Sequence, residues 1–79
     1  MKIILFGISK EIIGNNQLTL PEGHGLTTVL ELKKWLLKKY PVMGSLSAVA
    51  IAVDQVYAED ETPISDNQEI ALIPPVSGG

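Results

Sequence analysis

The sequence predicts an α+β fold: a mixed β-sheet of four to five strands with one main helix packed on one face. Three features lead to it. A single segment, Thr28 to Tyr40, repeats its apolar residues at helical spacing. Short β-branched runs stand on both sides of it, so the order is strand, strand, helix, strand, strand. One helix covers only one face of a small sheet, and pairing the last strand with the first makes the sheet mixed. The 79 residues suit one domain, 1–79, with 74–79 as an extended C-terminal tail.

The first strand is read over Lys2 to Ile8. Period two puts Ile3 and Leu5 on one face and Ile4 and Phe6 on the other. Both faces are apolar, which fits a buried central strand and equally a strand whose outer face meets a partner. Gly7 fits a bulge or a close backbone approach. The chain changes character over Lys10 to Asn16, and Gly14-Asn15-Asn16 is a turn signal. Gln17 to Leu20 returns as a short second strand, joined to the first as an antiparallel hairpin.

Pro21 to Gly25 is a loop. In the helix, Thr28 and Glu31 have capping-box spacing, and Val29, Leu32, Leu36 and Tyr40 form one stripe. Lys33 falls within that sector, so its stem is expected to pack while its amine reaches water. Lys38 and Lys39 suit the helix C-terminus, and Pro41 stops the helix. Gly44 to Ala48 is a small-residue connection to a third strand, Val49 to Val53. Asp54-Gln55 reads as a tight turn into Val56-Tyr57. Ala58 to Gln68 is a polar, acidic loop, and Glu69 to Ile73 is the last strand.

The chain contains no cysteine, so disulfides, cysteine-based metal sites and thiol chemistry are excluded. Any sulfur it handles is not held on a side-chain thiol. The net charge of −3 argues against non-specific nucleic-acid binding. No apolar run approaches a membrane span and no signal peptide is read, so a cytoplasmic protein is expected.

After the last strand comes Pro74-Pro75-Val76-Ser77-Gly78-Gly79. The prolines fix φ and remove donors, so strand pairing is expected to stop at Pro74 and the chain to leave as an extended arm. Beyond Val76 bulk falls away to a small hydroxyl and two residues without side chains, so a slim end able to thread a narrow channel is expected. The terminal group is an unhindered carboxylate on Gly79, suited to activation at its acyl carbon. A Gly-Gly end alone equally fits an unstructured tail; the preceding apolar strand and Pro-Pro turn it into a mechanical unit.

This order and ending resemble the β-grasp, or ubiquitin-like, fold, and within it the small subunit of molybdopterin synthase, the sulfur carrier of molybdenum cofactor biosynthesis. The resemblance runs over nearly the whole length: Lys2-Ile3-Ile4-Leu5-Phe6-Gly7 with Glu11 and Gly14, Thr28-Val29, Ala52-Val53-Asp54, Pro63-Ile64-Ser65-Asp66, and Glu69 to Gly79. The Pro-Pro-Val-Ser-Gly-Gly ending is the specific part; related thiamine sulfur carriers usually lack its Pro-Pro. Asp54 stands for the family's asparagine, Lys10 for a common arginine, Asn67-Gln68 for Gly-Asp, and Leu72-Ile73 for an aromatic pair.

The resemblance implies that an E1-like enzyme adenylates Gly79 with ATP and that a sulfur donor converts it to a thiocarboxylate. The tail, with Pro74, Pro75, Val76, Ser77 and Gly78, then inserts into the large, catalytic subunit, where the sulfur passes to a pyranopterin precursor. The chain is then a non-catalytic sulfur-donating subunit that binds no cofactor or metal; ATP and any zinc belong to the activating enzyme. Phe6, Tyr57 and Ile73 match the family's apolar partner-facing patch, although single exposed hydrophobics are ordinary and Ile4 and Ile73 also fit a core. His24 reads as a solvent residue. Asp54, Glu59, Asp60 and Glu61 lack the spacing of a Ca²⁺ loop and read as a solvated acidic surface. Lys33, Lys34, Lys38 and Lys39 read as a solvated helix face. The alternatives are a sulfur carrier for thiamine or another thio-compound, a ubiquitin-like modifier joined to lysines, and an interaction module with an incidental tail.

Overall fold

A computed structural model of the chain describes residues 1–44 and 49–73. The strands are β1 (Lys2–Leu5), β2 (Gln17–Thr19), β3 (Ala50–Val53), β4 (Val56–Tyr57) and β5 (Ile70–Ile73). The helices are α1 (Ile8–Ile13) and α2 (Val29–Lys39), and Pro41–Met43 adds a 3₁₀ turn. The sheet runs β2-β1-β5-β3-β4. β1 and β5 pair in parallel at its centre, and every other pair is antiparallel. This is the β-grasp arrangement, with the first and last strands side by side as the order of segments predicts.

The period-two pattern fixes which face is inner. Ile3, Leu5, Ile51, Val53, Ile70 and Leu72 are buried against Val29, Leu32 and Leu36 of α2. Cross-strand register agrees, pairing Ile3 with Ile70, and Leu72 with both Leu5 and Ile51. Helix α2 begins at Thr28, whose Oγ1 accepts the Glu31 N–H. Glu31 reaches back to the Thr27 N–H at 2.7 Å, one residue earlier than a reciprocal capping box. The acidic loop closes the same helix end: Val29 N–H donates to the Thr62 carbonyl and Leu30 N–H to the Asp60 carbonyl. Two donors left open by the helix are thereby satisfied by loop backbone.

The structure departs from the sequence expectation in the first connection. β1 ends at Leu5 rather than Ile8, and Ile8–Ile13 is a helix. Six residues are too few for helical spacing to stand out, and the apolar Ile12-Ile13 pair continues the strand's composition. Gly14, at φ 86, ends this helix in the left-handed conformation. Lys33 also differs. Its side chain is 12% exposed and its amine lies 2.9 Å from Asp60 Oδ1, so the charge is met by the acidic loop rather than by water alone.

Candidate functional site

Helix α2 covers the inner face, and no second layer over the outer face is seen among the described residues. Register builds that face from five strands. Gln17, Ile4, Ala71, Ala52 and Tyr57 lie on one continuous rung from β2 to β4. The next rung pairs Ile73 with Ala50. Three alanines make the floor, because a methyl is the smallest side chain that keeps a strand apolar. Ile4 rises on one side and Tyr57, 70% exposed, on the other. Ala52 and Ala71 are themselves buried and Ala50 is half-buried, so the apolar surface that this face offers is carried by Ile4, Ile73 and Tyr57.

Phe6 follows β1 directly and is 50% exposed. Because β1 and β5 are parallel, Phe6 and the partly buried Ile73 reach the same end of the sheet, where the chain passes on to residue 74. Phe6 and Ile73 therefore stand at one end of the sheet, and Ile73 shares its face with Tyr57 across β3. The predicted tail residues Pro74, Pro75, Val76, Ser77, Gly78 and Gly79 lie outside the described residues, as do Ser45 to Ala48 of the small-residue connection. Sequence reasoning missed two further exposed apolar side chains, Val42 at 74% and Val56 at 68%. A β-branched residue in a turn or edge strand carries no sequence signal of exposure.

The reading of His24 as a solvent residue is corrected by the structure. Its side chain is 9% exposed. Its Nδ1 accepts the Leu26 N–H at 2.9 Å and its Nε2 stands 3.0 Å from Asp66 Oδ1. An accepting Nδ1 puts the ring proton on Nε2, which donates to the carboxylate. His24 thus fastens the loop before α2 to the turn before β5. The same Asp66 oxygen lies 3.6 Å from the amine of Met1. The His24 hydrogen bond, aided by the charge of that amine, holds the Asp66 carboxyl below its ordinary range. Glu31 is also held low, chiefly by the Thr27 N–H and then by the Thr27 hydroxyl.

Neither arrangement supplies a nucleophile with a base. Among the described residues, no group of three or more His, Cys, Asp or Glu side chains could hold a metal ion, and no helix is long and apolar enough to cross a membrane. A shallow polar depression beside α1, lined by Lys10, Glu11, Asn15 and Asn16, likewise pairs no nucleophile with a base. What the described residues offer is an apolar face, at one end of which β5 finishes at Ile73.

The ThiS family model matches residues 3–79. The chain is 37% identical to the molybdopterin synthase sulfur carrier subunit of Caenorhabditis briggsae, covering 100% of this chain and 96% of that one. It is 34% identical to the protein of the same name in Arabidopsis thaliana, covering 100% and 82%. Among solved structures, the small archaeal modifier protein 1 of Methanosarcina acetivorans superposes with a TM-score of 0.70 at 26% identity, covering 99% of this chain and 94% of that one.

Proposed function

This chain belongs to the ThiS family, and from that premise we propose that it is the sulfur-carrying small subunit of a molybdopterin synthase, acting in molybdenum cofactor biosynthesis. The observation that carries this reading is end-to-end similarity to sulfur carrier subunits at 37% and 34% identity. The Pro74 to Gly79 ending supports it chemically. An E1-like enzyme activates the Gly79 carboxylate with ATP, giving an acyl-adenylate and pyrophosphate. A sulfur donor displaces AMP and leaves a thiocarboxylate. The tail then enters the large subunit, where the sulfur is transferred to a pyranopterin precursor, and two such cycles build the dithiolene. This chain holds no cofactor in that scheme; ATP belongs to the activating enzyme, and the work takes place in the cytoplasm.

The docking surface in this reading is the outer sheet face, with Phe6, Tyr57 and Ile73 as its apolar contacts. Burying such a face supplies affinity, and the tail supplies specificity for a narrow channel. Phe6→Asp and Ile73→Asp are expected to weaken binding to the large subunit at least tenfold while the domain stays folded, measured by calorimetry alongside circular dichroism. Wild-type affinity in both folded variants would contradict the docking face. A second reading, a protein modifier, is favoured by the structural likeness to a small archaeal modifier protein. It predicts isopeptide conjugates through Gly79 in place of a thiocarboxylate.

A further inference from the structure

We propose that Ser9 is a positioning residue for the docking face: its buried hydroxyl fixes the turn that carries Phe6. The proposal rests on the reading of the outer sheet face as the surface that meets the large subunit. Ser9 is the one polar residue that is buried among the described residues, with 0% exposure. Its Oγ donates to the Phe6 carbonyl oxygen at 2.6 Å. A hydroxyl is unfavourable in an apolar interior unless its hydrogen bond is made, and here it is made to the residue that the docking face uses.

The backbone around Phe6 explains why such a bond matters. β1 ends at Leu5, whose N–H makes the last link to β2 at the Asn16 carbonyl, 3.0 Å away. Toward β5 the last pair is Leu5 with Leu72, and toward β2 the ladder likewise ends before Phe6. The next residue, Gly7, takes φ 59 and ψ −137, a combination open essentially to glycine alone, and α1 starts at Ile8. The chain thus passes from strand to helix within two residues, and the ladder no longer sets the peptide plane between Phe6 and Gly7. The Ser9 hydroxyl sets it instead, from the inside. With its ring half exposed, Phe6 is not held by packing alone, so the orientation of its backbone decides where the ring points.

The test is a double-mutant cycle on binding to the large subunit of the same organism, using Ser9→Ala, Phe6→Ala and the double variant. Thermal unfolding of each variant is recorded in parallel. Losing one buried hydrogen bond that positions a contact is expected to weaken binding about fivefold when Phe6 is present. In the Phe6→Ala background, Ser9→Ala is expected to cause no further loss. An equal loss in both backgrounds would mean that the hydroxyl acts on the fold in general, and would overturn the proposal. Wild-type affinity of Ser9→Ala, with Phe6→Ala impaired, would overturn it while leaving the docking face standing. Wild-type affinity of Phe6→Ala would remove the docking face itself. Ser9→Cys keeps the side-chain volume with a weaker donor. It takes the place of Ser9→Ala in the cycle should that variant unfold, with the same pattern and a smaller loss expected.

Discussion

Asp66 joins three parts of the chain at a single oxygen: the turn before β5, the loop holding His24, and the amine of Met1. Its carboxyl, like that of Glu31, titrates below the ordinary carboxylate range in the folded protein. A carboxyl lowered in this way contributes stability above its unfolded pKa and loses it as pH falls through the folded value. The melting temperature is therefore expected to fall between about pH 5 and about pH 2, and to fall less in Asp66→Asn and Glu31→Gln. Equal slopes in wild type and variants would contradict the assignment. Both groups are solvent-facing, so the differences are small. The His24 contact could not be read from the sequence, because its partner lies 42 residues away and the flanking glycines signal only a loop. Residue chemistry at the chain end is a contrast: bulk, φ restriction and the terminal carboxylate are properties of Pro74 to Gly79 themselves. Gly78→Val is expected to block sulfur transfer by its bulk while leaving the fold intact, as read by product formation in the assembled synthase.

The β3–β4 hairpin shows what an element requires of its turn. Asp54 and Gln55 sit at φ 51 and 71, the two left-handed positions of a two-residue hairpin turn. Asp54 also accepts the Glu69 N–H at 2.9 Å, which ties the turn to the start of β5. Asparagine, the residue the family uses there, offers the same oxygen and the same tolerance of positive φ. Gln55 has neither advantage, so Gln55→Gly is expected to stabilise the domain by about 1 kcal/mol in chemical denaturation. Thr28→Ala, which removes the cap of α2, is expected to cost about 1 kcal/mol in the same assay. The long helix, the alternating strands and this turn were legible because each follows from local spacing or turn chemistry. Helix α1 was not, because it rests on Gly7, Gly14 and tertiary contact over six residues rather than on a repeating stripe.

Across the whole molecule, stability and presentation fall on opposite faces of one sheet. The inner face, with Ile3, Ile51, Ile70 and Leu72 against Leu32 and Leu36, holds the fold. Leu36→Ala is expected to cost about 2–5 kcal/mol, much of what so small a domain possesses. The outer face exposes Phe6 and Tyr57 and bears less of that load. Its exposed aromatic residues were legible by different routes: Phe6 falls opposite the core positions in the period-two pattern of β1, whereas Tyr57 was marked by the family resemblance. Its floor was not, because Ala50, Ala52 and Ala71 meet only through the register of strands distant in sequence. In the proposed function the folded body delivers Gly79 for acyl activation and sulfur loading. The most direct measurement is the intact mass of the protein after incubation with its activating enzyme, ATP and a sulfur donor. A gain equal to one oxygen replaced by sulfur, localised to Gly79, is expected; an unchanged mass with competent enzymes, or a ladder of lysine conjugates, would rule out the sulfur-carrier role.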